Sequence, residues 1–335
     1  MEVSRAVAVV DTHTGGEPTR IILGGGPYLK GRSIAEKWLE FKNEHDDFRN
    51  MVMREPHGHN DMFGALLTSP EREGSHYGVL FMDASGSISM CGHGSIGIAR
   101  TLVDLGMIGK EEPVTHVLID TPAGLVDLEV EVSGTSVGDV TMKNVPAFLY
   151  EQNVEIEVPS LGRKINLDIS FGGNFFAIVP AAQLGLELTK EESPRLIHLG
   201  LEIRELLNSK MKIQHPVETH INKVELTEFS LEREGLPTRN VVIFGEGAVD
   251  RSPCGTGTCA KMAILAEKGK LAPGKEFIHQ GITGSLFRGF IEKGPKVGPF
   301  ATVIPYIKSR SYVTGFNFLL KQSEDEVGKG FYLPR

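Results

Sequence analysis

Three cysteines in 335 residues are too few for a disulfide framework, and their scarcity points to a reduced, cytoplasmic setting. No apolar run approaches the length of a bilayer span, so a membrane span is not expected. The opening "MEVSRAVAVVDTHTGG" lacks the architecture of a signal peptide. Positive charge is also short: 35 Lys and Arg against 43 Asp and Glu leave a formal charge of −8. That balance argues against nucleic acid or an anionic membrane surface as the main partner. Low-complexity linkers are missing too. An apolar share of 40% and a charged share of 23% are those of a globular chain, long enough for two domains. The expected partners are a small molecule and a second copy of the chain.

β-branched stretches recur: "VAVVDTHT", "THVLIDTP", "LVDLEVEV", "GDVTMKNV", "FFAIVPAA", "RNVVIFG" and "FATVIPYI" read as strands. Between them, "SIAEKWLEFKNEHDDFRNMV" and "EESPRLIHLGLEIRELLNSK" have helical spacing, and the mixture predicts a strand-rich α+β or α/β fold. An internal repeat organises the chain. "C-G-x-G-[ST]" opens a helical pattern at Cys91 and again at Cys254, 163 residues later. "HTGGEPTRII" is echoed by "SFGGNFFAIV" upstream of each motif, and "VLIDTPAGLV" by "IHQGITGSLF" downstream. Three echoes in one order predict a duplicated chain of two related halves.

A cysteine in the first turn of a helix meets unpaired N–H groups and the positive end of the helix dipole. Both favour thiolate, so each pKa is expected to fall. The glycines of "CGHG" and "CGTG" leave backbone N–H groups open to an anion such as a carboxylate. Cys259 is the control. Five residues after Cys254, it points roughly 140° away on the helix, at ~100° per residue, and reads as a core or interface thiol. If the two halves close around a cleft, one thiolate can take the proton beside a carboxylate while the opposite thiol delivers one to the other face. That inverts a stereocentre and requires no cofactor.

Other chemistries fit less well. "HGHND" at His57 and the Cys91/His93 pair could suggest a metal, but no Cys-x-x-Cys or His-Glu-x-x-His spacing appears, and none is expected. Neither glycine motif matches a P-loop or a dinucleotide fingerprint. A reversible disulfide between Cys91 and Cys254 would make a non-enzymatic thiol switch, but it leaves the glycine cradles without a purpose.

"MCGHGSIG" and "DRSPCGTGT", the latter preceded by "VVIFGEGAV", resemble the motifs of the proline racemase family, which includes the 4-hydroxyproline 2-epimerases. The likeness covers nearly the whole chain, through "VDTHTGGEPTR", "REPHGHNDMFGALL", "NVPAF", "HPVETHIN" and "GSLFRG". The resemblance implies two pseudo-symmetric domains like those of the diaminopimelate epimerases. Each would be a curved sheet around a central helix, with the site between them and "SYVTGFNFLL" returning to the first domain, which makes the first domain 1–134 plus 310–335 and the second 135–309. It implies Cys91 and Cys254 as the acid/base pair. Gly92, His93, Gly255 and Thr256 would hold the carboxylate, Asp250 the ring ammonium, and Phe63 and Phe244 would wall the ring. Threonine replaces the second cysteine in trans-3-hydroxyproline dehydratases, so Cys254 favours a racemase or epimerase over that alternative. Signals for proline and for 4-hydroxyproline coexist: "CGHGS" is epimerase-like, Phe63 and Phe244 proline-like. The resemblance also implies a homodimer.

Overall fold

The strand carrying "VAVVDTHT" reverses at Gly15 and Gly16, whose φ angles of 64° and 94° suit a residue without a Cβ. The computed structural model describes residues 2–333. In chain order come β1 (Val3–Thr14), β2 (Glu17–Gly24), α1 (Ile34–Glu44), α2 (Asp46–Met53), β3 (Phe63–Thr68), β4 (Tyr77–Asp83) and β5 (Ser87–Ile88). Next are α3 (Gly92–Asp104), β6 (Val114–Thr121), β7 (Gly124–Ser133) and β8 (Ser136–Lys143).

The second half runs β9 (Phe148–Val158), β10 (Arg163–Phe171), β11 (Phe175–Pro180), α4 (Ser193–Lys210), β12 (Val224–Leu231), β13 (Thr238–Phe244) and β14 (Ala248–Val249). It closes with α5 (Gly255–Glu267), β15 (Phe277–Gln280), β16 (Leu286–Lys293) and β17 (Val303–Ser309), before β18 (Ser311–Gln322). One compact unit spans residues up to Val140 together with those from Arg310 onward; the other is Thr141–Ser309, so β8 straddles the boundary.

Each unit repeats one pattern of pairing. β1–β2 is an antiparallel hairpin and β2–β3 a parallel pair, succeeded by antiparallel β3–β4 and β4–β5, parallel β4–β6 and antiparallel β6–β7. In the second unit β10–β11, β11–β12, β12–β13, β13–β14, β13–β15 and β15–β16 run with the same senses. β18 lies antiparallel on β1 where β9 lies antiparallel on β10. The fold is thus mixed α/β with two pseudo-symmetric units, and the echoed sequences fall on counterpart hairpins.

At the centre of each unit sits the helix opened by a cysteine. α3 buries all of Gly92–Ala99, and α5 buries all of Gly255–Leu265. A helix apolar on every side is one surrounded by protein. The long helical segment near the start divides in two: His45 leaves helical geometry (φ −125°, ψ 27°), its N–H closing α1 on the Phe41 carbonyl. Asp46 and Asp47 then complement the dipole at the start of α2.

Candidate active site

In the first unit, Cys91 caps α3 from an extended backbone (φ −141°, ψ 121°), so that its sulfur turns back over the helix N-terminus. The Gly94 N–H donates to Cys91 Sγ at 3.2 Å, and the Ser95 hydroxyl donates to the Cys91 carbonyl at 2.6 Å. The His93 ring lies against the same sulfur, Nδ1 at 3.3 Å and Nε2 at 3.6 Å. Phe63, the first residue of β3, meets that ring edge-to-face at 4.8 Å, while Thr14 Oγ1 donates to the His93 carbonyl at 3.0 Å. The first unit therefore brings together Cys91, Gly92, His93 and Phe63, all buried. The Cys91/His93 pair, which the sequence offered only as a candidate metal pair, is a direct contact between thiol and imidazole.

The second unit opens α5 differently. Cys254 sits at φ 58°, one of three non-glycine residues at positive φ among those described. Such strain costs about 1 to 3 kcal/mol and persists only where its surroundings fix it. They do so here: the Cys254 N–H donates to Ser252 Oγ at 3.0 Å, and its carbonyl accepts the Thr258 N–H at 2.8 Å and the Thr258 hydroxyl at 2.7 Å. Asp250 Oδ1 accepts from the Ser252 N–H (2.8 Å) and hydroxyl (2.7 Å), so one of its oxygens shapes the turn that carries the cysteine. Thr256 Oγ1 lies 3.8 Å from Cys254 Sγ. Gly255 begins α5, buried. Phe244 is buried at the end of β13, where the Gly247 N–H closes the hairpin on its carbonyl at 3.1 Å.

The expected fall in thiol pKa is overturned at Cys254. Burial pushes this thiol well above its ordinary range, and Asp250 and, once ionised, Glu228 push it further; the Gly257 N–H and the Thr256 hydroxyl pull the other way without prevailing. A helix terminus is worth only about 0.3–1 kcal/mol in most settings. Loss of water and two nearby carboxyl groups exceed that. Cys259, within the same helix, is fully buried, and its thiol is likewise raised by burial.

Several residues around the second turn have roles that sequence reasoning does not reach: Glu228, Ser252, Gly257, Thr258 and His279. The glycine three places after each cysteine is visible in the motif, as is the Ser/Thr at the fourth. Their geometric jobs are not. Among the described residues, no three His, Cys, Asp or Glu side chains converge to hold a metal ion.

The family model for proline racemase matches residues 9–332. The proline racemase of Acetoanaerobium sticklandii is 45% identical over 333 residues, covering 99% of both chains. A 4-hydroxyproline epimerase of Brucella suis is 42% identical over 324 residues, covering 96% of this chain and 97% of the other. Among solved structures, a hydroxyproline epimerase from Agrobacterium vitis with bound trans-4-hydroxy-L-proline superimposes with a TM-score of 0.95 at 29% identity, covering 99% of this chain and 97% of that one. The chain belongs to the proline racemase family and is an amino-acid isomerase of the racemase and epimerase kind.

Proposed function

We propose that the protein inverts C2 of proline, 4-hydroxyproline or both, with Cys91 and Cys254 acting on opposite faces of one ring. The observation that carries this reading is the repeated cysteine cap: in both units a buried cysteine opens the central helix, and in one of them the backbone is held in a strained conformation. Strain at a well-bonded residue is a mark of function rather than of stability. The names of the relatives, proline racemase and 4-hydroxyproline epimerase, supply the two substrates.

In the proposed reaction one sulfur, as thiolate, takes the C2 proton. The electron pair delocalises into the substrate carboxylate, and the opposite thiol returns a proton to the other face. Thiol and thiolate have then exchanged places, and the enzyme is poised for the reverse direction. N–H groups of Gly92, His93, Gly255 and Thr256 would receive the charge developing on the carboxylate, with the Thr256 hydroxyl assisting. Asp250 would pair with the ring ammonium, and Phe63 and Phe244 would exclude water from the ring. The high pKa of Cys254 supports it as the resting acid. A cytoplasmic homodimer belongs to the same reading, supported by the scarcity of cysteine and by the general prevalence of two-fold dimers.

The test is proton exchange. L-proline and trans-4-hydroxy-L-proline, each incubated with the protein in deuterated water, are monitored at C2 by NMR, and deuterium is expected to enter with inversion. Exchange in neither substrate would sink the reading, and full inversion by a Cys91→Ser or Cys254→Ser variant would sink its mechanism.

A further inference from the structure

One buried carboxyl group breaks the repeat. Ile21 and Ile178 each lie six residues beyond the first glycine of their counterpart turns. Ile21 pairs with Ala65 of β3, but Ile178 pairs with Glu228 of β12. At this strand position the first unit therefore has a methyl group, and the second a carboxyl with no solvent exposure at all. Glycine makes its approach possible. A Cβ on Gly257 would lie 2.4 Å from Glu228 Oε2 and 3.3 Å from Cys254 Cβ, whereas one on Gly94 would meet Cys91 Sγ at 3.1 Å and the apolar Phe81 ring at 3.2 Å.

Among the described residues, neither Glu228 oxygen has a hydrogen-bond partner of full geometry. The polar group facing it is His279 Nε2, itself unpaired, 3.8 Å from Oε1. The histidine tautomer is fixed from its other side. Thr258 Oγ1, with a single hydrogen, donates to the Cys254 or Pro253 carbonyl (2.7 and 3.1 Å) and so accepts from His279 Nδ1 at 2.9 Å. Nδ1 thus carries the proton, and Nε2 turns a lone pair toward Glu228. The other groups acting on Glu228 are Lys261 of α5, held by Glu232 at 2.8 Å, the Asn240 amide of β13, and Asp250.

We propose that Glu228 is a positioning residue carried in its protonated form, its hydrogen facing His279 Nε2, and that its ionisation sets a second negative charge beside Asp250 and withholds Cys254 from acting as a base. This rests on the reading of Cys254 as one of the two proton-transfer groups. The proton lost from Glu228 goes to solvent and no other bond changes. Burial, reinforced by Asp250 against the opposing pull of Lys261 and Asn240, raises this carboxyl to about 8, so the neutral form dominates at neutral pH. His279 stays neutral as well, its pKa driven well down by burial and by Lys261. The first unit has no such carboxyl at the counterpart position, so the two thiols of a duplicated fold would titrate in different surroundings.

Glu228→Gln keeps the shape and cannot ionise. Site-resolved alkylation by iodoacetamide across a pH series is expected to show Cys254 reacting about tenfold faster near pH 9 in the variant, the scale of coupling at which two sites titrate as a pair. The alkaline limb of kcat/KM should move upward with it. An unchanged Cys254 profile overturns the proposal whatever the turnover. A shifted profile in a protein that exchanges no imino acid would uphold the coupling and sink the functional reading instead. Should the variant fail to fold, difference infrared spectroscopy of the wild-type protein decides. A protonated-carboxyl band at neutral pH that disappears on passing about pH 8 supports the proposal, and its absence at neutral pH overturns it.

Discussion

The Thr258 hydroxyl donates to the Cys254 carbonyl at 2.7 Å, and this bond helps to hold the cysteine at φ 58°. Its counterpart, Ser95 to the Cys91 carbonyl at 2.6 Å, braces a backbone that is already relaxed at φ −141°. The same bond therefore has unequal work in the two units. Thr258→Val preserves volume but leaves His279 Nδ1 facing a methyl group and the cysteine less restrained. It is expected to lower stability by about 1 to 3 kcal/mol, the cost of a buried polar group left unpaired. Ser95→Ala should cost about 1 kcal/mol. Urea denaturation measures both, and kcat should fall further for Thr258→Val. Equal losses would contradict the account of strain.

The two helical glycines differ in the same sense. An alanine methyl at Gly257 would overlap a fully buried carboxyl at 2.4 Å, while one at Gly94 would press on a sulfur and a ring edge at 3.1 and 3.2 Å. Overpacking of this kind typically costs about 1 to 3 kcal/mol. Gly257→Ala is expected near the top of that range and Gly94→Ala near the bottom, by the shift in denaturation midpoint. Glu228→Ala should rescue Gly257→Ala, because it removes the atom in the way; a double variant no more stable than Gly257→Ala alone would refute the contact.

What the sequence makes legible here is what is local. Paired glycines with β-branched flanks announce the β1–β2 and β10–β11 hairpins, and cysteine before a glycine-rich turn announces the caps of α3 and α5. Glu228 shows the limit. In "VELTEFS" a glutamate reads as a solvent-facing strand residue; its burial depends on Gly257 and His279, far along the chain, and on a strand order that no local pattern specifies. The Cys254 thiol fails for a related reason. A helix-cap argument sees the dipole of its own helix but not a carboxyl brought up by β12, and it underestimates burial. The break at His45 is hidden because apolar periodicity runs on through α1 and α2 while one residue leaves helical geometry.

Asp250 permits a cleaner substitution than either cysteine. In Asp250→Asn the side-chain carbonyl can still accept from the Ser252 N–H and hydroxyl, so the turn leading to Cys254 should survive. Only the charge is lost. If that charge pairs with a substrate ammonium, KM should rise and kcat/KM should fall about 10²-fold, equivalent to about 3 kcal/mol. Thermal stability should change little, since a buried anion has been removed along with its desolvation cost. Steady-state kinetics with melting curves would separate the two; unchanged kinetics would release Asp250 from substrate binding.

Stability itself should carry the mark of Glu228. Its carboxyl titrates near 8 in the folded protein against an ordinary 4.5, so between these values the native state holds a proton that the unfolded chain has released. Stability from this group is therefore complete below about 4.5 and declines as pH rises toward 8, by at most about 3 to 5 kcal/mol. His215 acts in the opposite direction. Burial lowers it to about 4 from an ordinary 6.5, so the unfolded chain takes up the proton first and stability falls as pH drops from 6.5 toward 4. The two windows overlap, and they can be separated by substitution. Melting temperatures of wild type and Glu228→Gln, measured at intervals from about pH 4 to 9, should diverge between about pH 5 and 8 and run parallel beyond, the variant gaining on the wild type, while both keep the same loss on the acid side. Parallel curves across the whole range would mean that Glu228 is ionised in the native state at neutral pH, and that some other group sets the Cys254 environment.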